Sequence, residues 1–180
     1  MVYKTTGIII GKRDLYEADR FLVIYTKDFG KILVKAKAVK KSQAKLKGHL
    51  ELFAHSYLMI AQGRGLDIVT NAETIDNFSN LRNNLPCLAG AYCISEIIDR
   101  LIAGPEPDED IWQLILSYFN MLNNKNIDIK LLLKGFSSKF LEFLGYGDFS
   151  QQDPYAFMCS DLGTDINSFE FLCNVDCMVK

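Results

Sequence analysis

Apolar and polar residues alternate with a period of two in parts of the first 76 residues, a pattern typical of β-strands. The clearest run begins at Gly30, where one set of alternate positions is mostly lysine and the other set is entirely apolar. A strand turns these two sets to opposite faces. The first set is Lys31, Leu33, Lys35 and Lys37, and the second is Ile32, Val34, Ala36 and Ala38.

Five short strands are predicted before residue 79. They cover residues 5–11, 21–26, the lysine-striped run from 30, 50–60 and 66–75. The apolar run at 21–26 is typical of a strand buried on both faces, and the Lys27-Asp28-Phe29-Gly30 segment after it is typical of a hairpin turn. Because the one long connection joins the third and fourth strands, the layout predicts an OB-fold barrel. Such barrels bind nucleic acid across strands 2 and 3 and through the loops joining strands 1–2 and 4–5.

Beyond residue 78 the apolar residues recur every three or four positions, which indicates amphipathic helices. The first is expected to start near Pro86 and to end before Gly104, and the second to open at Pro107 with acidic residues at its positive dipole end. A third covers about residues 127–144, and the sequence after Gly145 predicts only a turn. The chain is therefore predicted to be a multidomain α+β protein, with an OB-fold β-barrel at 1–78 and an all-α helical domain with an irregular C-terminal segment at 79–180.

Charge is distributed very unevenly along the chain. Residues 1–50 hold 12 Lys and Arg against 4 Asp and Glu, a net charge of +8, whereas residues 51–180 have a net charge of −10. The two parts nearly cancel, which leaves a net charge of −2 for the whole chain. The basic part indicates an anionic partner there, because solubility alone would be served by interspersed signs.

The basic residues concentrate where an OB-fold barrel binds nucleic acid, namely on strand 3, in the segment after it and in the two flanking loops. A charge run alone is more often a solvated face, but this concentration and the opposite charge of the helical domain favour phosphate binding without sequence reading. The loop residues Tyr16 and Phe29 are the candidates for stacking on bases. The predicted phosphate-binding residues are Lys12 and Arg13 in the first loop, Arg20, Lys31, Lys35, Lys37, Lys40, Lys41, Lys45, Lys47, and Arg64 in the second loop.

The sequence indicates neither a catalytic nor a membrane function. The carboxylates Asp14, Glu17 and Asp19 come without a histidine, a nucleophile elbow or a glycine-rich phosphate loop, so enzymatic activity is not predicted. No apolar run reaches the roughly 18 residues needed to span a bilayer, and the amino terminus lacks the pattern of a signal peptide. We therefore expect a cytoplasmic protein whose five cysteines, an odd number, are reduced.

Short motifs follow one another in a characteristic order over the first 146 residues. They include Glu17-Ala18-Asp19-Arg20 before strand 2, Gly30-Lys31 at the hairpin, Gly63-Arg64-Gly65 before strand 5, Tyr92 with Glu96 and Asp99 on the first helix, and Leu144-Gly145-Tyr146 after the third. With these motifs the sequence resembles the RecO family of bacterial recombination mediators. The resemblance implies an OB domain on a helical domain, binding of single- and double-stranded DNA, and annealing of complementary strands. It also implies action with RecR to load the RecA recombinase onto DNA coated by single-stranded DNA-binding protein, in DNA repair at the nucleoid.

Two other functions remain open at this point. The chain could be a non-enzymatic adaptor that docks an acidic partner, for which the resemblance suggests the acidic tail of single-stranded DNA-binding protein. A hydrophobic groove of the helical domain beside Arg100, Lys134 or Lys139 is the expected site of such a peptide. The other alternative is an RNA-binding OB protein, because neither charge nor stacking distinguishes ribose from deoxyribose.

The carboxyl-terminal cysteines depart from the family pattern. Many members carry a four-cysteine zinc knuckle after the Leu-Gly-Tyr motif, but here only Cys159, Cys173 and Cys177 follow it. A structural zinc site takes four ligands. We therefore expect no metal and no other cofactor, with zinc on this incomplete set as the alternative.

Overall fold

The amino-terminal part of the chain is a closed five-stranded barrel. The computed structural model describes residues 1–15, 19–37, 39, 46, 48–124 and 127–178. The barrel strands occur in the order β1-β2-β3-β5-β4, and only the short β3–β5 pairing is parallel. The predicted barrel is thereby confirmed. Its strands are β1 (Val2–Leu15), β2 (Asp19–Thr26), β3 (Gly30–Ala36), β4 (His55–Ala61) and β5 (Asp67–Asp76), with a 3₁₀ turn at Gly48–Leu50 before β4.

The barrel is filled by the alternate apolar side chains of its strands. Leu22 and Ile24 on β2, Val34 on β3, and Leu58 and Ile60 on β4 are completely buried in one cluster. Removing such side chains from water stabilises the fold by about 1.5–3 kcal/mol each. The alternation on β3 is as predicted over its length, because the residues between the buried ones point outward and one of them, a leucine, is 45% exposed.

Strand β1 extends further than its sequence pattern predicts. It continues through the polar residues Lys12 and Arg13 to Leu15, so these two basic residues lie on a strand and not in the loop where we expected them. The backbone of this extension pairs with β2, with Lys12 opposite Leu22 and Arg13 opposite Phe21. Ladder hydrogen bonds use only backbone groups, so a partner strand keeps polar residues extended although their side chains give no alternating pattern.

The rest of the chain is helical. The three predicted helices are present as α2, α3 and α4, and the described residues also include three helices that the sequence did not predict, a short one before them and two after them. None of the helices in the described ranges is long and apolar enough to cross a membrane. The helices are α1 (Ser79–Arg82), α2 (Leu85–Leu101), α3 (Glu109–Leu122), α4 (Ile129–Phe143), α5 (Pro154–Ser160) and α6 (Ser168–Met178).

A side chain of α2 accepts hydrogen bonds from the first turn of α6. The Glu96 carboxylate accepts hydrogen bonds from the Ser168 amide at 2.8 Å, the Ser168 hydroxyl at 2.6 Å and the Asn167 amide at 3.2 Å. The amides at the start of a helix have no partner within the helix. Glu96 therefore supplies an acceptor for the Ser168 amide at the start of α6 and for the Asn167 amide just before it.

The chain folds as two compact units. One consists of Met1–Phe78 together with Ile102–Trp112, and the other of Ser79–Leu101 with Gln113–Lys180. The predicted division assigned all of 79–180 to the helical domain, whereas Ile102–Trp112 packs with the barrel. We call Ile102–Trp112 the acidic strap, because four of its residues are Asp or Glu and none is basic.

Candidate nucleic-acid interface

The outward face of β1, β2 and β3 carries a row of basic and aromatic residues. Arg13, Phe21 and Lys35 lie directly opposite one another across the three strands. Directly paired residues point to the same face of a sheet. Leu33 occupies the next outward position of β3, and the exposed Lys37 follows the strand. We call these five residues the β1–β3 patch.

Phe21 is a candidate that the sequence reasoning missed. The run 21–26 was expected to be buried on both faces, and Leu22 to Thr26 are indeed buried, but Phe21 is only half-buried. Its ring lies in register between two cations, where it can stack on a base. The predicted hairpin at 27–30 would have identified Phe21, because a hairpin that pairs Thr26 with Gly30 also places Phe21 opposite Lys35.

Two of the predicted phosphate-binding residues point to the opposite face of the sheet from this patch. Lys12 is opposite the core residue Leu22, and Arg20 is opposite the buried Ala36, so both side chains point to the other face of the sheet. Each makes an ion pair there: Lys12 with Glu51 at 2.7 Å and Arg20 with Asp14 at 2.9 Å. The physical reason is the two-residue period of a strand, which places neighbours on opposite faces.

Within the patch, Lys35 also has a carboxylate partner. Its Nζ lies 2.9 Å from Oδ2 of Asp19, and about a quarter of each side chain is exposed. Ion pairs near the surface contribute about 0–1 kcal/mol, so a phosphate can take the place of this carboxylate at little cost. Lys37 is exposed, and no ion pair to it is seen among the described residues.

Arg64 and Phe29 lie in two different loops of the barrel, between β4 and β5 and between β2 and β3. Arg64 belongs to the loop between β4 and β5, which is joined to β5 by a hydrogen bond from the Gly63 amide to Asp67. The Tyr3 hydroxyl also donates to Asp67, at 2.7 Å, and the Tyr3 ring contacts Phe29 with 4.6 Å between centroids. Phe29 thus packs on Tyr3 at the hairpin and not in the patch, whereas the loop that carries Arg64 leads into Asp67, which pairs with Val34 between the patch residues Leu33 and Lys35.

Several candidates stay as predictions from the sequence. Lys31 is half-buried on the outward face of β3, opposite Tyr25 and near the hairpin. The remaining predicted residues lie outside the described ranges, and they are Tyr16, Lys40, Lys41, Lys45 and Lys47.

The helical unit contains a cavity of about 570 Å³ between α4, α5 and α6. Its floor is apolar and includes Leu133, Phe169 and Leu172, and Lys130 and Lys134, one turn apart on α4, also line it. Of the three residues predicted to bind a partner, only Lys134 lines this cavity. Lys139 is exposed further along α4, and Arg100 binds Glu96 on α2, with 2.8 Å between Nη2 and Oε1. Lys130 was missed, although its i, i+4 spacing from Lys134 indicates a shared helix face.

The alternative zinc ligands Cys159 and Cys173 are exposed and line the same cavity. The Cys177 side chain lies outside the described residues. Within the described part of the chain, no group of three or more His, Cys, Asp or Glu side chains is arranged to hold a metal ion.

Comparison with known proteins assigns the chain to a family. The model of "Recombination protein O N terminal" matches residues 1–78, and that of "Recombination protein O C terminal" matches residues 82–179. The chain belongs to the RecO family. The barrel and the helices thus correspond to the two parts that define RecO proteins, and the resemblance drawn from the sequence motifs is confirmed.

Curated relatives named DNA repair protein RecO are similar over most of this chain. The protein of Roseiflexus sp. is 37% identical over 145 residues, which cover 81% of this chain and 50% of the relative. That of Dehalococcoides mccartyi is 38% identical over 144 residues, covering 80% and 56%. That of Clostridium kluyveri is 29% identical over 171 residues, covering 95% and 64%. The chain spans about half the length of the first two RecO relatives.

Proposed function

We propose that this RecO-family chain binds the phosphate backbone of DNA through the β1–β3 patch and acts without catalysis as a mediator of recombinational repair. The observation that carries the proposal is the row in which Arg13 and Lys35 flank the half-buried ring of Phe21. Cations on both sides of a ring suit a single strand, whose phosphates pair with the cations while a base stacks on the ring.

Annealing follows from the same surface. Two complementary strands repel each other through their phosphates, and a cationic patch that binds one strand lowers this repulsion for the other. The family resemblance adds the partners RecR and single-stranded DNA-binding protein, and through them the loading of RecA at the nucleoid. We include these partners in the proposal for this chain.

A salt titration tests the DNA-binding proposal. The affinity for a fluorescent single-stranded oligonucleotide should fall with salt, and log K against log salt should have a slope of about −2 to −3 if three or four phosphates are contacted. Fluorescence anisotropy on the full chain, with DNA and RNA oligonucleotides of the same sequence, measures both the slope and the preference. The absence of a saturable signal with DNA would contradict the proposal, and tighter binding of RNA would favour the RNA alternative.

A second candidate function is the docking of an acidic peptide, which is favoured by the cavity between α4, α5 and α6. Its apolar floor fits an apolar side chain at the end of the peptide, and Lys130 and Lys134 attract carboxylates at its rim. The acidic tail of single-stranded DNA-binding protein, which the resemblance suggests, is a source of such carboxylates. The two functions are compatible, because they use different units of the chain.

Substitution of Lys134 distinguishes this cavity from a general attraction to basic residues. Lys134→Glu should weaken binding of a fluorescent acidic peptide with an apolar carboxyl-terminal residue by about tenfold, because a like charge then lies at the rim. Lys139→Glu is the matched control, since Lys139 is exposed on the same helix but does not line the cavity. Equal losses in the two variants would exclude the cavity as the docking site.

A further inference from the structure

The acidic strap lies against the hairpin end of the barrel. The Glu106 carbonyl is so close to Gly30 that a Cβ at this position would collide with it. Gly30 has a φ of 65°, in the left-handed region that favours glycine. This glycine therefore permits two features at once, the tight turn between β2 and β3 and the close approach of the strap.

Side chains of the strap also contact the barrel. Glu109 Oε1 lies 3.7 Å from Nζ of Lys27 on the hairpin, and the Trp112 ring meets the edge of His55 with 5.6 Å between centroids. Tyr25 points outward from β2 and is nevertheless completely buried. Burial and the nearby Asp108 carboxylate raise the pKa of the Tyr25 phenol. The strap thus packs beside the outward face of the hairpin.

The two ends of the outward face differ in charge as a result. At the hairpin end, the Glu109 carboxylate paired with Lys27 and the Asp108 carboxylate near Tyr25 bring negative charge to the face. At the other end, the β1–β3 patch carries the three cations of Arg13, Lys35 and Lys37, and the Asp19 carboxylate pairs with Lys35. A polyanion that approaches this face is repelled at one end and attracted at the other.

We propose that the acidic strap is an intramolecular competitor for nucleic acid, which occupies the hairpin end of the β2–β3 face and confines a bound strand to the β1–β3 patch. This inference rests on the proposed DNA binding and adds the place on the barrel where contact with the bound strand ends. Lys27, already paired with Glu109, then makes no phosphate contact, although it is basic and exposed. The strap therefore sets the length of strand that one molecule covers.

Neutralising the carboxylates of the strap tests whether the strap limits DNA binding, and it leaves the packing of the strap in place. The variant Glu106→Gln, Asp108→Asn and Glu109→Gln removes three charges but keeps similar shapes. Asp108 Oδ1 accepts a hydrogen bond from the Ile111 amide at 2.9 Å, and asparagine preserves this helix cap. The matched control, with the same net charge, neutralises three exposed glutamates that lie outside the strap: Glu73→Gln, Glu142→Gln and Glu170→Gln.

Two readouts on the full chain decide the question, namely anisotropy with a single-stranded oligonucleotide and lysine acetylation measured by mass spectrometry with and without DNA. We expect the strap variant to bind DNA about three- to tenfold more tightly than the control at about 50 mM salt, with the difference shrinking at higher salt. We also expect DNA to protect Lys27 from acetylation in the strap variant but not in the unsubstituted chain.

The outcomes separate this inference from the proposed function. If the unsubstituted chain binds DNA, but the strap variant and its control have equal affinities, the strap is only a structural segment and the inference fails. Protection of Lys27 by DNA in the unsubstituted chain would also overturn it. If neither the unsubstituted chain nor the strap variant binds DNA, the proposed function itself fails.

Discussion

Replacing Arg13, Lys35 and Lys37 together by glutamine is expected to weaken the affinity for single-stranded DNA by about 10- to 100-fold at low salt. Each cation releases counterions from the strand when it neutralises a phosphate, so the slope of log K against log salt should become less negative by about 2. Glutamine is preferable to glutamate here. Asp19 lies 2.9 Å from Lys35, and a glutamate at this position would add a repulsion unrelated to DNA.

The matched control for this triple variant neutralises Lys4, Lys134 and Lys139, three exposed lysines that are not part of the β1–β3 patch. It has the same net charge, and its affinity should stay within about threefold of the unsubstituted chain, because these three lysines make none of the proposed phosphate contacts. Anisotropy titrations at several salt concentrations measure both variants, and thermal unfolding checks that each is folded. Equal losses of affinity would show that DNA responds to overall charge and that the patch is not its site.

The sequence was sufficient to predict the barrel and much of its outward face. The alternation from Lys31 to Ala36 fixes which face of β3 is basic, since side chains of a strand alternate whatever its neighbours are. The pairing of Thr26 with Gly30 in the hairpin also fixes the register of β2 with β3. Both depend on local pattern, and both are found in the structure.

Features that depend on contacts between distant residues were not predictable in this way. Lys12 and Arg20 are basic and close in sequence to the patch, yet the pairing of β1 with β2 turns them to the other face. In the sequence the acidic strap is the end of one predicted helix, a break at Gly104-Pro105 and the start of the next helix, and its place beside Gly30 depends on tertiary packing. Helix α6 was not predicted because its acceptor, Glu96, comes from a helix about 70 residues earlier in the chain.

Glu96 should therefore contribute strongly to the stability of the helical unit. We expect Glu96→Ala to lower the free energy of unfolding by about 2 kcal/mol, because it leaves the amides of Asn167 and Ser168 and the Ser168 hydroxyl without their acceptor. Urea unfolding measures the free energy, and hydrogen exchange should show faster exchange in α6 with no change in β2 and β3. Glu142→Ala, at an exposed position of α4, is the matched control and should change the free energy by less than about 0.5 kcal/mol.

The contribution of Glu96 to the free energy of unfolding should decrease as the pH falls, because its hydrogen bonds favour the charged carboxylate. Burial alone would raise the pKa of Glu96, but the hydrogen bonds from Ser168, Asn167 and Arg100 outweigh it and hold the pKa below its ordinary value. A carboxylate with a depressed pKa in the folded state stabilises the fold above its unfolded pKa, about 4.3 for glutamate, and this stabilisation is lost as the pH falls through the folded pKa. The difference in unfolding free energy between the unsubstituted chain and Glu96→Gln should thus be largest near pH 7 and should shrink toward about pH 3. A difference that stayed constant over this range would show that Glu96 acts through packing and not through its charge.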